Sequence, residues 1–357
     1  MIQTAPPIGR RTLLCVSASA AAALVRPVAA LALRPAAPPF AEGATLLVAG
    51  PESGAIDRWA LLLGPALGRG LPPGTQVHTE AVGGPDGVTG ANQFETRTIP
   101  DGTTALLLPG SAALAWLVGD PRARFDAAHW VPGLAGTTPG VLASRIPVAA
   151  LLSGTSLRVG AAGPAGLDLP ILLALDMMGV KWTPVFGLND EAALSDALAR
   201  GAVDAVPLRG RRVPGQAHAF AAAGTQPIFT LGLPDDRGAW QRDPAFPERP
   251  TASELMARRA SPNAALETAF RAAAAAAQLD VALVLPQLTP AAMVAVWRHA
   301  CAVAAGSPDV QTQASALGVR PLSAPAAISS TAAIAADISA LLELRRWLAT
   351  RLNYRAA

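Results

Sequence analysis

Two glycine-containing loops carry the residues of this sequence whose types and spacing could do chemistry. The first is Gly50-Pro-Glu-Ser-Gly-Ala-Ile-Asp57, after a predicted strand at 44–49, and the second is Gly160-Ala-Ala-Gly-Pro-Ala-Gly-Leu-Asp168, after a predicted strand at 157–161. Backbone N–H groups that are exposed where a strand passes into a helix suit an anion, and carboxylates are natural guests there. In open α/β sheets such sites lie at the carboxyl ends of the strands. The equivalent placement of the two loops in consecutive α/β halves therefore predicts an anion site.

The polar side chains near these loops admit more than one role. Asp57 could cap the following helix or contact a ligand group, and capping is favoured. Ser111 fits a cap and a ligand contact equally well, whereas Asp204 fits the end of a strand, where it would orient a loop. The run Arg209-Gly-Arg211-Arg212 is more typical of a solvated loop than of an anion site.

Motifs of catalysis and of metal binding are missing from the sequence. There is no G-x-S-x-G, no Walker A, no H-E-x-x-H and no Rossmann glycine pattern in a βαβ context. Cys301 lies in a helical pattern beside alanine and valine, which favours a buried, inert thiol. The histidines show no metal-ligand spacing: His78, His129, His218 and His299. We therefore expect neither an enzyme nor a resident cofactor or metal.

The elements that must position the loops alternate along the chain. Apolar runs predict strands at 44–49, 75–82, 104–108, 157–161 and 203–208, and helical patterns separate them at 57–67, 91–98, 168–178 and 189–200. Asn189 is a plausible N-cap and Gly201 a plausible helix stop, and Thr251-Ala-Ser-Glu254 is a capping box. Proline at the first helical position is expected after Ser261, Thr289 and Ser307. This alternation predicts mostly parallel sheets that are covered on both faces.

The chain is predicted to form two α/β lobes. The break between them is placed near Ser144-Arg145-Ile146-Pro147, and a return crossing near 280–286. The first lobe would then comprise 44–144 and 284–357, and the second lobe 145–283.

Residues 1–32 have the order of an export signal that is cleaved. Arg10 and Arg11 precede an uncharged run at 12–25, and small residues follow it in an A-x-A pattern. The run is too short to span a bilayer. A twin-arginine route and an ordinary signal both remain open; Cys15 precedes the apolar run and does not fit a lipoprotein. Residues 33–43 form a tether rich in proline and alanine, and we expect a periplasmic protein.

Removing this segment also changes the charge balance. The chain has 28 basic and 25 acidic residues, and the segment holds three of the basic ones and no acid, so the mature chain is balanced. Lys181 is the only lysine. Nothing here favours nucleic acid as a partner, since that would need clustered basic residues with aromatics between them.

The ordered set of motifs resembles the substrate-binding proteins of tripartite tricarboxylate transporters, the Bug family. The resemblance covers nearly the whole mature chain. Its first half is carried by Pro51-Glu-Ser-Gly54-Ala-Ile-Asp57-Arg58, Glu80 to Ala91, Pro100-Asp101-Gly102-Thr-Thr104, Phe125-Asp126 and Val131-Pro132. Its second half is carried by Gly163-Pro-Ala-Gly166, Gly201-Ala-Val-Asp204, Pro250-Thr251-Ala-Ser-Glu254, Pro286-Gln-Leu-Thr289-Pro290 and Leu317-Gly318-Val-Arg-Pro321.

The resemblance implies a type II periplasmic-binding-protein fold, in which two α/β lobes close on a small carboxylated solute for integral membrane transporter subunits. It implies no chemistry on that solute, and we expect a monomer. A ligand sensor that feeds a membrane signalling partner remains the alternative. The implied ligand-binding residues lie in both loops and along the cleft: Ser53, Gly54, Ala55, Asp57, Gly110, Ser111, Gly163, Pro164, Ala165, Gly166, Gly187 and Asp204.

Three departures from the family pattern bear on the ligand. Ala55 replaces the usual second glycine of the first loop, and the second loop lacks the serine hydroxyls that are common in the family. The usual aromatic before Phe186-Gly187 is also replaced. Backbone N–H groups and water would then hold the ligand, and a less polar acid and a divergent paralogue are both consistent with this.

Overall fold

A computed structural model describes residues 40–257, 263–323 and 325–356. The predicted export signal (1–32), most of the tether and the Ser261-Pro262 helix start lie outside these residues. The folded unit extends from Glu42 to the C-terminus. None of the helices in the described part of the chain combines the length and the apolar character needed to cross a membrane.

The strands are short, as the apolar runs predict. In chain order they are β1 (Ala44–Ala49), β2 (Val77–Val82), β3 (Thr104–Leu108), β4 (Val131–Thr137), β5 (Val141–Ser144), β6 (Leu157–Gly160), β7 (Trp182–Val185), β8 (Ala205–Leu208), β9 (Gln226–Thr230), β10 (Leu233–Pro234), β11 (Trp240–Gln241), β12 (Leu279–Leu285) and β13 (Arg320–Ser323). The five strands that the sequence predicts are β1, β2, β3, β6 and β8, and each is present within a few residues of its expected bounds.

Helices occupy most of the connections between the strands. They are α1 (Ala55–Gly70), α2 (Val88–Arg97), α3 (Gly110–Val118), α4 (Val148–Leu152), α5 (Leu169–Met177), α6 (Glu191–Ala199), α7 (Val213–Ala221), α8 (Ala252–Met256), α9 (Ala264–Gln278), α10 (Ala291–Ala305), α11 (Pro308–Leu317), α12 (Ala326–Ala332) and α13 (Ile338–Arg351).

Helix starts follow the local rules in part. Pro308 is the first residue of α11, as predicted, whereas Pro290 is the N-cap of α10 and not its first residue, which corrects the prediction for Thr289-Pro290. The hydroxyl of Thr251 accepts the N–H of Glu254 at 3.0 Å, so this half of the predicted capping box is formed. Asn189 was expected to cap α6, but Asp190 does so, since its carboxylate accepts the N–H of Ala193 at 2.8 Å. Gly201 adopts a positive φ of 65° and ends the same helix as predicted.

The described strands form two mixed sheets, one in each lobe, and a short antiparallel pair, β10-β11. The first has the order β13-β4-β12-β3-β1-β2 and the second β7-β6-β8-β5-β9. Mostly parallel sheets were expected, and that is wrong. Only β2-β1-β3 and β7-β6-β8 are parallel, whereas β12, β13 and β5 pair antiparallel to their neighbours. Of these strands, β5 and β12 adjoin the two segments that cross between the sheets.

The two crossing segments lie side by side and join the lobes. The chain enters the second sheet at Val141 and returns to the first at Leu279, in each case a few residues before the predicted lobe limits. The Thr138 N–H donates to the Gln278 carbonyl at 2.9 Å, and the Gln278 side-chain amide donates to the Gly232 carbonyl at 2.9 Å. We call this pair of crossings the hinge.

Burial explains why the lobes pack as one unit. Helix α5 is buried from Leu169 to Leu175, as is typical of a helix that is apolar all round. It packs against α9, which in turn contacts α3 and the C-terminal helix α13. One cluster of buried apolar side chains accordingly runs from Phe94 in the first lobe through Phe270 of α9 to Leu172 in the second.

A polar contact ties the C-terminal helix to the second lobe. Asp176 of α5 accepts the indole N–H of Trp347 at 2.8 Å and a guanidinium N–H of Arg351 at 2.7 Å. The Arg351 guanidinium also lies 4.9 Å from the ring centre of Trp182. The two lobes are thus joined behind the hinge as well as through it.

Candidate functional site

The first loop is held in shape by its own polar groups. The Ser53 N–H donates to the Asp57 carboxylate at 2.8 Å, and the Gly54 N–H donates to the Pro51 carbonyl at 3.0 Å. A Cβ on Gly54 would lie 2.7 Å from that carbonyl oxygen, so the turn requires glycine. Asp57 lies inside α1 rather than at its cap, which is Gly54. The favoured role of Asp57 as the cap is therefore wrong, because its carboxylate closes the loop; a ligand contact by Asp57 stays a prediction.

Helix α1 presents free backbone donors at the end of this loop. The N–H of Arg58 donates to the Gly54 carbonyl and begins the helical ladder. The N–H groups of Ala55 and Ile56 precede that ladder, where a helix has no carbonyl to offer them. The positive end of the helix dipole lies at the same place.

Helix α3 starts in the same way after β3. Its first residue, Gly110, contacts the hinge so closely that a Cβ would lie 2.0 Å from the Ala276 carbonyl oxygen. The hydroxyl of Ser111 donates to the Asp86 carbonyl at 3.0 Å, so it supports the loop after β2. The backbone N–H groups of Gly110 and Ser111 precede the helical ladder and remain as donors.

The second loop is closed by a carboxylate as well, but one that is buried. Asp168 is only 3% exposed, accepts the N–H of Ala162 at 2.9 Å and forms an ion pair with Arg209. The Gly187 N–H donates to the Ala162 carbonyl at 3.2 Å, so Gly187 lies beside this loop. A Cβ on Gly163 would meet nothing within 4 Å.

A cavity of about 170 Å3 lies where the two lobes meet at the hinge. Both helix starts, the loop after β2, one residue of the second loop and the hinge contribute to it. We call it the interlobe cavity. It is lined by Gly50, Pro51, Ala55, Ile56, Pro85, Pro109, Gly110, Ser111, Thr138, Leu167, Gly210, Ala277, Leu279 and Asp280.

The predicted site residues divide into two groups around this cavity. Ala55, Gly110 and Ser111 line it. Ser53, Gly54 and Asp57 shape the loop behind Ala55 without entering the lining. In the second loop, Leu167 lines the cavity. The predicted ligand-binding residues of that loop and the neighbouring Gly187 lie outside the lining: Gly163, Pro164, Ala165, Gly166 and Gly187.

Asp204 was expected along the cleft, and the structure places it elsewhere. It directly precedes β8, so it lies at the amino-terminal edge of the parallel strands, whereas the loops follow their carboxyl ends. Arg158 binds its carboxylate through two guanidinium nitrogens, at 2.9 and 2.7 Å. The pKa of Asp204 is lowered, chiefly because the Arg158 side chain hydrogen-bonds to the charged form. Asp204 and Arg158 therefore link the amino-terminal ends of β8 and β6.

Sequence reasoning missed an ionic contact between the lobes. Arg211, which follows β8, donates to both carboxylate oxygens of Asp280, from Nε at 2.9 and 3.1 Å and from Nη2 at 2.8 Å. The indole N–H of Trp59 in α1 donates to the same carboxylate at 2.7 Å. The run of arginines at 209–212 was interpreted as solvated, which is wrong for Arg209 and Arg211. The sequence did contain a signal for this site, because the arginine run follows the carboxyl end of a predicted strand.

The remaining reactive groups take no part in this cavity. Cys301 is fully buried, and burial raises the pKa of its thiol to about 12, which confirms the predicted inert thiol. Within residues 40–257, 263–323 and 325–356, histidine, cysteine and acidic side chains form no cluster of three that could hold a metal ion. What the cavity offers a guest is thus backbone N–H groups, apolar walls and one carboxylate.

Solved structures share this fold at low sequence identity. A TctC solute-binding protein from Polaromonas is 17% identical, with a TM-score of 0.61 over 87% of this chain and 98% of that chain. The R. palustris protein Rpa4515, solved with adipate, is 17% identical, with a TM-score of 0.50 over 86% of this chain and 97% of that one. The periplasmic binding protein BugD is also a structural neighbour, at 17% identity and a TM-score of 0.45 over 87% and 96%.

The Polaromonas and R. palustris structures confirm the predicted fold class of two α/β lobes, and the first confirms the resemblance to TctC solute-binding proteins at the level of the fold. No protein-family model matches the sequence, and no curated protein matches it either.

Proposed function

We propose that the chain is an extracytoplasmic solute-binding protein that captures a small carboxylated solute between its lobes for a tripartite tricarboxylate-type uptake system. The observation that carries the proposal is the convergence of two helix starts, α1 and α3, on one cavity at the hinge. The first N–H groups of these helices have no carbonyl partner within the helix, and they favour an anionic guest. A TctC protein and an adipate-bound protein with the same fold support this assignment.

Capture would work by closure of the lobes. The cavity walls come from both lobes, so a guest that contacts both favours the closed form by its difference in affinity for the two forms. The first loop (Ser53, Gly54, Ala55, Asp57) would hold the carboxylate from the first lobe. The second loop (Gly163, Pro164, Ala165, Gly166), with Gly187 beside it, would close over the guest from the opposite lobe.

A thermal-melt screen tests the function. We expect one or more members of a panel of mono-, di- and tricarboxylates and amino acids to raise the Tm of the purified chain. At a concentration near one hundred times Kd, binding stabilises the folded state by about 2.7 kcal/mol, which raises the Tm by several degrees. The neutral amides of the same acids are the matched controls, and they should leave the Tm unchanged. A panel without any shift would contradict the proposal.

A further inference from the structure

The charged side chain that the interlobe cavity presents to a guest is a carboxylate. Among the described residues that line it, Asp280 is the only one with a charged side chain. Arg211 pairs with that carboxylate and does not belong to the lining. A site built for several carboxylates would be expected to expose arginine instead, because its planar fork matches carboxylate geometry.

Asp280 is fixed in this position. Its side chain is 12% exposed, and that of Arg211 is 22% exposed. Its Oδ2 atom accepts from Trp59 at 2.7 Å as well as from Arg211. Three donors on one carboxylate leave it little freedom to turn. A second anionic group on the guest would therefore meet this carboxylate and no cationic side chain of the described lining.

The rest of the cavity lining combines backbone donors with apolar surface. Ala55, Ile56 and Ser111 supply the helix starts, and these are the donors for one carboxylate. Side chains of Leu167, Ala277 and Leu279 add apolar wall. An alkyl or aryl body satisfies such a wall, whereas a second carboxylate would be desolvated there without a partner.

We infer that the guest is a monocarboxylate with an apolar body, and that Asp280 is the specificity-determining residue that excludes dicarboxylates. The inference rests on the proposed function, and it narrows the substrate class of the same cavity. Arg211 and Trp59 act through Asp280 as positioning residues. The carboxylate of the guest binds at the starts of α1 and α3, and its body extends toward the hinge.

Calorimetric titration of matched acids tests the inference. Straight-chain monocarboxylates from propionate to octanoate are compared with the dicarboxylates of the same carbon number, for example hexanoate with adipate. We expect the best monocarboxylate to bind at least about tenfold more tightly than its matched dicarboxylate. A dicarboxylate that binds as tightly or more tightly overturns the inference and leaves the proposed function standing. Failure of every carboxylate to bind overturns both.

Two variants separate Asp280 from a general effect of charge. Asp280→Asn removes the like charge and releases Arg211, so the preference for the monocarboxylate should fall by about tenfold or more. Asp204→Asn removes an equally bidentate arginine pair at the opposite edge of the second sheet, and the preference should stay unchanged. An unchanged preference in Asp280→Asn overturns the role of Asp280. If that variant does not fold, the wild-type ratio still decides the substrate class.

Discussion

The two loops that follow the first parallel strands of the two lobes are built alike but are held differently. In each, a carboxylate a few residues further on accepts a loop N–H: Asp57 accepts from Ser53, and Asp168 from Ala162. Asp168 is buried and ion-paired with Arg209, whereas Asp57 is half-buried. The difference indicates that the second loop is fixed within its own lobe, and that the first loop owes its shape to local turns beside the cavity.

Removing the carboxylate of the second loop should have the largest effect. Asp168→Ala leaves the Arg209 guanidinium and the Ala162 N–H without their partner, and only 29% of the Arg209 side chain is exposed. Breaking a buried ion pair from one side costs about 3 kcal/mol or more. Urea unfolding, followed by far-UV circular dichroism, measures the loss. A loss below about 1 kcal/mol would show that this loop is not locked as described, since that is the range of exposed ion pairs.

The fold was largely predictable from the sequence, and the site only in part. Apolar runs marked strands such as β1 and β3 because burial on both faces leaves a continuous hydrophobic signature. The antiparallel partners in the centre of each sheet were missed, since β5 and β12 look like any other buried run.

Whether a cavity residue could be predicted depended on how far it lies in sequence from the residues it contacts. The local strand–loop–helix pattern marked the loop that holds Ala55, whereas Gly110 and Ser111 were expected in the cleft from the family resemblance. The Arg211–Asp280 pair joins positions 69 residues apart in sequence, and Trp59 lies 221 residues from the same carboxylate. No local pattern could relate these three residues, since only the packing of the lobes brings them together.

Replacing one glycine of each loop with alanine should have an intermediate effect on stability, and it sharpens the contrast between the loops. In Gly54→Ala the added Cβ would lie 2.7 Å from the Pro51 carbonyl oxygen, whereas in Gly163→Ala nothing lies within 4 Å. We expect the first change to cost about 2 kcal/mol of stability, as for an overpacked site, and to weaken ligand binding. The second should stay within about 0.5 kcal/mol. Parallel urea unfolding and ligand titration measure both, and equal costs would contradict a tightly turned first loop.

Removing the carboxylate of the first loop should have the smallest effect on stability. Asp57→Ala loses one backbone hydrogen bond, which is worth about 1 kcal/mol. Because Asp57 holds Ser53 beside Ala55, affinity for the ligand should fall by more than this stability loss explains. Thermal unfolding and titration of the same preparation give the two quantities. Unchanged affinity would mean that the shape of the first loop does not govern binding.

The central claim is that one carboxylate binds at the starts of α1 and α3, with its body toward Asp280. A crystal structure with a monocarboxylate that carries bromine at its far end, such as 6-bromohexanoate, tests this most directly, since the anomalous signal locates the bromine. We predict the carboxylate within hydrogen-bonding distance of the Ala55, Ile56 or Ser111 N–H, and the bromine beside Ala277 and Leu279. A carboxylate beside Asp280, or a ligand outside the interlobe cavity, would contradict the account.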